Sequence, residues 1–363
     1  MYPVFLTSHY FRSFIIFTLF LLLILDSVLF LYLVIDKILT ERREKKKRYS
    51  REKFTEIIAS KMFDDELLLE IPKDRFSYEV VGDLLLDTLR NLRGDFANKV
   101  QDLLRKNGYV EYFSKMLKSK RFYIRGKYAE KFGFTRLSEA RQPLVELLKV
   151  EKHPYVIKKA VFALSFVFEI DHLDLMYEKI SEVKDLGFKY VEQIFINVIR
   201  RIREFRNSEK GMRFLSLYAK LLDSLGRRAL FEALGLEKVY EAVPIIAGYA
   251  NSNDPLMRIS VARALGRMGG EVSCNILKQY LKDMEDWRVR AVAANFAGIC
   301  DISVVSILYS LLFDPEPTVA MNAAQTLLQF GRVGIEFLEK AKRNGIGLAS
   351  EIAKYALEGA NLA

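Results

Sequence analysis

Three histidines (His9, His153 and His172) and two cysteines (Cys274 and Cys300) are the whole supply of soft metal ligands in the 363 residues. Two cysteines exclude a disulfide scaffold and any cysteine-built zinc centre. Both lie in, or at the end of, apolar helical patterns, where a small side chain fills a core gap. His153 precedes Pro154 in a turn and His172 follows Asp171 in another, positions that suit capping or surface roles. No G-x-x-x-x-G-K-[ST] loop is present, nor a G-x-G-x-x-G behind a strand pattern. Gly269-Gly270 and Gly345-Ile346-Gly347 follow helical patterns and read as C-caps rather than phosphate cradles. The reading is therefore of a protein that is not an enzyme, with no cofactor and no metal.

What is left for chemistry is charge and aromatic surface. Lys+Arg number 56 against 46 Asp+Glu, a formal net charge of +10. The chain is long enough for one large or two ordinary domains. A 51% hydrophobic and 12% aromatic content excludes a mostly disordered chain. The helical elements decide which of these charges face solvent.

Phe14 to Ile35 form a run of 22 residues, FIIFTLFLLLILDSVLFLYLVI. At 1.5 Å per residue it extends about 33 Å, enough for a ~30 Å hydrocarbon layer. Asp26 costs about 2.5–3.5 kcal/mol at a span centre, and 18 Leu, Ile, Phe and Val residues outweigh it at ~0.3–0.6 kcal/mol each. Asp26 is either a residue the span tolerates or a polar contact to another membrane helix. A cleaved signal peptide fits less well: the apolar run is too long, and Leu33-Val34-Ile35-Asp36 lacks a small-x-small site. Residues 1–13 carry one basic residue, Arg12, whereas 37–53 carry nine. Positive-inside bias puts the N-terminus outside and the C-terminal domain in the cytoplasm of a single-pass membrane protein, and the sparse cysteines agree. The basic block 37–53 also suits anionic lipid headgroups. The expected domains are 1–36 with the transmembrane helix, a basic stalk over 37–62, and a repeat domain over 63–363.

The rest repeats itself. Segments starting at 124, 156, 257, 289 and 319 carry apolar residues at offsets 0, 4, 5 and 8 or 9, one face of a helix. Small residues at offsets 4 and 5, such as Val261-Ala262 and Ala293-Ala294, let a neighbouring helix approach. The gap of 101 residues between 156 and 257 hides two further repeats, a good one starting at Leu225 and a poor, bulky one at Phe188. First helices precede these over Arg141–Lys149, Pro244–Ala250, Cys274–Leu281 and Val304–Phe313. Lys152-His153-Pro154, Asn253-Asp254-Pro255 and Asp314-Pro315-Glu316-Pro317 separate the two helices. A period near 32 with two helices is an α-solenoid, here of about nine hairpins in an all-α chain.

Asn253-Asp254-Pro255-Leu256-Met257-Arg258, followed by Val261-Ala262 and Ala264-Leu265-Gly266, resembles a HEAT-like repeat of the short, phycobilisome-lyase type. Trp287 to Ala294 and Asp314 to Leu327 resemble it too, so the likeness is clearest over 245–332. The resemblance implies a right-handed superhelix with the second helices lining the concave side. HEAT-like hydroxylases use His-Glu pairs as iron ligands, and no histidine here is followed by Glu. If the resemblance holds, offsets 2, 3, 6 and 10 face the concave side. They give Lys127, Lys158, Lys159, Phe162, Arg227, Arg228, Phe231 and Arg263 as candidate protein-binding residues, with Phe166, Tyr190, Ile194, Arg267, Asn295, Asn322 and Gln325 around them. Arg125, Arg258 and Arg290, at offset 1, are read as bridges between repeats.

Two functions compete. One is a membrane-tethered cytoplasmic scaffold that binds and positions other proteins. Its anchor-plus-array layout also resembles accessory subunits of envelope-polysaccharide machines. The alternative is nucleic-acid binding through a basic concave face, as in HEAT-like DNA glycosylases. The 46 acidic residues and the anchor weigh against it.

Overall fold

The computed structural model describes residues 3–61, 74–184, 186–204, 217–344 and 347–361. They are helical throughout, with no strand among the described residues. The chain forms two compact units, Met1–Tyr112 and Phe113–Ala363. The expected end of the stalk at 62 falls in 62–73, outside the described residues.

In the first unit, α1 (Pro3–Lys61) is one unbroken helix of 59 residues, about 88 Å at 1.5 Å per residue. The apolar side chains of its run from Phe14 to Ile35 are exposed. Past that run the helix acquires a packed face. Phe54 and Ile58 are buried against α2 (Arg75–Asn91), Arg51 Nη2 meets Asp87 Oδ2 at 2.7 Å, and Lys46 lies over the Phe76 ring. Asp74 caps α2 by accepting from Ser77 N–H at 3.0 Å. Tyr109, at the start of α4 (Tyr109–Leu117), stacks on Tyr78 with centroids 4.3 Å apart. Burial pushes the Tyr78 phenol up to about 12. Between them α3 (Asp95–Lys106) buries Val100, Leu103 and Leu104.

The second unit alternates short first helices with longer second helices. The second helices are α5 (Phe122–Phe134), α7 (Pro154–Leu164), α9 (Phe188–Glu204), α11 (Ser224–Leu236), α13 (Pro255–Met268), α15 (Trp287–Phe296), α17 (Pro317–Leu328) and α19 (Leu348–Asn361). First helices lie between them: α6 (Arg141–Val150), α8 (Leu173–Ser181), a helical stretch over 217–221 (α10), α12 (Val243–Ala247), α14 (Glu271–Tyr280), α16 (Val305–Leu311) and α18 (Gly331–Asn344). Second helices stack in order, α9 on α11, then α13, α15, α17 and α19, and α5 on α7. First helices form the other layer, with α6 on α8, α12 on α14 and α16 on α18. The caps follow from sequence. Asp223, Asp254 and Asp286 each accept a backbone N–H two or three residues ahead, and His153 Nδ1 accepts from Tyr155 N–H before a first-turn proline.

Ala262, Ala294 and Ala324 are fully buried, as the periodicity requires. Backbones meet closely beside them: a Cβ added to Gly235 would lie 2.6 Å from Ala264 Cα. At α7 and α9 the seam is filled by large side chains instead. Phe162 stacks on Tyr190, whose hydroxyl donates to Lys158 O at 2.6 Å, and Asn197 Nδ2 donates to Ser165 Oγ at 2.9 Å. This is why the Phe188 repeat matches the small-residue pattern poorly.

At three seams an arginine ties the turns together. Arg125 Nη1 donates to Ser119 O at 2.9 Å, while Nε and Nη2 reach Glu151 at 2.7 and 3.1 Å. Arg290 repeats this with Asp283 O at 2.8 Å and Asp314 at 2.7 and 3.1 Å. Arg258 donates to Ser252 O at 2.8 Å and Glu285 at 2.9 Å, and its Nε lies 3.0 Å from Asp283 Oδ2, off hydrogen-bond geometry. Burial opposes ionisation of Glu151. The Arg125 guanidinium and the N–H groups of His153 and Lys152 outweigh it and hold the carboxyl below its ordinary value.

One expectation is corrected outright. Cys274 and Cys300 are not separate gap-fillers: they are disulfide-bonded across 26 residues. Both approach from opposite sides of one buried point, which no single-helix pattern displays. The pairing removes the cysteine argument for a reducing compartment, leaving the basic-residue count as the basis for orientation.

Two stability outcomes follow. Ala294→Phe overpacks the α13–α15–α17 seam and lowers unfolding free energy by about 1–3 kcal/mol, read as a fall in Tm; an unchanged Tm contradicts the packing register. Arg258→Met leaves the largely covered Asp283 carboxylate without its cation and costs about 1–3 kcal/mol, and adding Asp283→Asn, which keeps an acceptor for the Glu285 and Asp286 N–H groups, recovers much of it. Equal losses in the single and double variants would show that the pair does not couple the repeats.

Candidate functional site

The cap positions fix the register of each second helix. Arg258 and Arg290 sit four residues past the capping Asp254 and Asp286. Asp223 caps α11, so Arg227 occupies the same place. The repeat therefore starts at Gly226 and not at Leu225, one residue later than periodicity suggests. The offset is visible in contacts: Arg227 Nε donates to Ala219 O, Nη2 donates to Leu222 O at 2.7 Å, and the guanidinium covers the Tyr249 ring.

This shift corrects two candidates. Phe231 falls at the position of Ala262 and Ala294, and it is fully buried against Tyr249. It packs the seam and faces no partner. Arg227 is a turn-binding arginine like Arg258, not a side chain displayed on the second-helix face.

The remaining candidates divide by what already holds them. Lys159 Nζ pairs with Glu130 at 2.6 Å. Arg263 Nη1 pairs with Glu232 at 3.0 Å, and Arg267 reaches the same buried carboxylate at 3.4 Å. Both acids stand at offset 6 of the preceding repeat. Glu232 becomes legible there only once the repeat starts at Gly226. Lys158 lies 4.4 Å from the Tyr190 ring centroid, and burial drives that phenol upward from its ordinary value. Arg228 donates to Ser224 O at 3.3 Å and lies over Phe188. Lys127 is exposed beside Tyr128.

Brought together, then, are Lys158 and Phe162 on α7 with Phe134, Phe166 and Tyr190. Phe162 lies edge-on to Phe134 and Phe166, at 5.9 and 5.3 Å between centroids. Phe134 stands at offset 10 of the repeat starting at 124, the place Phe166 takes in the next repeat, and belongs with the candidates although the sequence reading named only Lys127 there. The cluster is half-buried and carries aromatic faces with the Lys158 cation at its edge. Further along, Asn322 Nδ2 donates to Ala291 O at 2.8 Å and Thr326 Oγ1 to Ala294 O at 2.7 Å, so this stretch of the face is occupied with holding repeats together. Arg200 pairs with Glu237. Asp26 is exposed on α1. An apolar cleft of about 740 Å³ opens between α8, α9 and α10, lined by Met176, Tyr177, Ile194 and Tyr218.

A family model of HEAT repeats matches residues 214–298. Comparison with curated proteins finds no match. Among solved structures, the chain is similar to an engineered protein at 17% identity and a TM-score of 0.41, over 79% of this chain and 85% of that one. It is similar to human deoxyhypusine hydroxylase in complex with glycerol at 17% identity and 0.29, over 85% and 96%. It is similar to the karyopherin Kap121p bound to Pho4p at 14% identity and 0.41, over 78% of this chain and 37% of the karyopherin.

Proposed function

We propose that the chain is a single-pass membrane protein whose repeat domain, on the cytoplasmic side, binds and positions other proteins. One observation carries the reading. The bare apolar run of α1 continues without a break into the turns that pack on α2, so whatever holds residues 14–35 also holds a folded unit. Among the described residues α1 is the one helix long and apolar enough to cross a membrane. Exposed Lys37, Arg42, Lys45, Arg48 and Lys53 after the run favour a cytoplasmic stalk resting near anionic headgroups.

The proposed partner surface is the α5–α7–α9 face around Lys127, Lys158 and Phe162, with Arg228 beside Phe188. An acidic protein segment suits it: cations steer and aromatic faces supply contact area. Asp26 is a proposed contact to another membrane helix. The nucleic-acid alternative loses support, because Glu130 and Glu232 neutralise Lys159 and Arg263 and Arg227 is spent on backbone carbonyls. An envelope-polysaccharide machine remains one setting for such a scaffold, supported by the anchor-plus-array layout alone.

Carbonate-washed membranes should retain the full chain. Protease added to right-side-out cells should leave the C-terminal unit intact and should digest it in inverted vesicles. Release by carbonate would sink the anchor, and the reverse protection pattern would sink the cytoplasmic placement.

A further inference from the structure

Two neighbouring turns of the second unit carry a surface that the partner face does not use. One runs from Lys118 to Tyr123, the other from Lys149 to Tyr155. Arg125 joins them through Glu151, and Phe122 stacks on His153 with centroids 4.0 Å apart. Lys118, Lys120, Arg121, Lys149 and Lys152 are all exposed, and among the described residues none of them makes an ion pair; Arg121 donates to the Tyr123 hydroxyl. The one carboxylate in these turns, Glu151, is buried with both oxygens accepting from Arg125. Phe122, Tyr123, Val150 and Tyr155 stand among the cations, exposed by 43, 48, 76 and 38%.

Three later turns between first and second helices lack this surplus of cations. Residues 251–256 carry Asp254 and no cation. Residues 282–288 set Asp283, Glu285 and Asp286 against Lys282 and Arg288. Residues 313–318 carry Asp314 and Glu316 and no cation. The surplus of cations among apolar tips is thus not a general property of the repeat.

We propose that these two turns form a second membrane contact, seating the array on an anionic bilayer surface. Exposed aromatic and aliphatic tips flanked by Lys and Arg are the residue mix that settles at a headgroup boundary, tips down and cations against phosphates. The adjoining cleft of about 590 Å³ is lined by Glu146 and Glu151 as well as Lys118 and Arg125, so it offers no surplus of cations to an acidic peptide. The inference rests on the anchor reading, because α1 holds the turns at high effective concentration over one bilayer.

Trp287 is the sole tryptophan, so Trp287→Phe with Val150→Trp places one fluorophore at the turn tip. The full chain is reconstituted in vesicles of zwitterionic lipid, with or without anionic phosphatidylglycerol, all with brominated acyl chains. A parallel chain carries Leu23→Trp in the span on the same background. The expected result is roughly twofold quenching at position 150 in anionic vesicles only, abolished by salt and by replacing Lys118, Lys120, Lys149 and Lys152 with Gln. These lysines are exposed and unpaired, and an unchanged Tm shows that the replaced chain still folds. Quenching at position 23 without quenching at 150 overturns the second contact and leaves the anchor standing. Quenching at neither position overturns both. Equal quenching at 150 in zwitterionic vesicles, or quenching that survives the lysine replacements, overturns the role of charge.

Discussion

A guanidinium that grips two turns at once is the interaction on which the array depends. Arg125, Arg258 and Arg290 each donate to a carbonyl of their own turn and reach a carboxylate of the next one. The carbonyls belong to turn residues just past the first helices, outside the regular helical hydrogen bonding. The carboxylates belong to turns that must come near the preceding repeat. A planar fork with five donors satisfies both at once, which a lysine could not do. Each pair fixes the offset between successive second helices, and close contacts such as Gly235 on Ala264 tolerate little change in that offset. At α11 the guanidinium keeps its carbonyls and covers the Tyr249 ring.

Much of this was legible in the residues. The buried alanines, the Asp254-Pro255 turn and the bridging role of offset-1 arginines all follow from spacing. The missed register at α11 has a local cause. Gly226 occupies the place of Met257 and Val289, and glycine carries no apolar signal, so periodicity settled on Leu225. The capping Asp223, four residues before Arg227, held the correct answer. That one-residue slip turned the seam residue Phe231 into a surface candidate and hid Glu232. The Cys274–Cys300 bond was illegible for another reason: it joins α14 to the residue that follows the last turn behind α15, and helical periodicity reports only which face a thiol on a helix occupies.

The face left for a partner is smaller and more aromatic than the charge count suggests. Cations at the second-helix face are partly consumed by acids one repeat away. The uncompensated positive charge lies at Lys118 to Arg121 and Lys149 to Lys152, in turns, not along the helices. Separating these surfaces gives one chain two distinct uses for basic residues: steering a protein partner at α7, and settling against lipid at the turns.

Site-specific photo-crosslinking of the full chain in its native membrane tests the central claim most directly. A photoreactive residue replaces Phe162 in one chain, Asp26 in a second, and the outward-facing Glu336 in a third. The account expects a discrete protein adduct from position 162, absent at 336, that is reduced about tenfold by Lys158→Glu. Adducts from position 26 alone, with none at 162, would show that the partner is read inside the membrane and that the α7 face is only solvated surface.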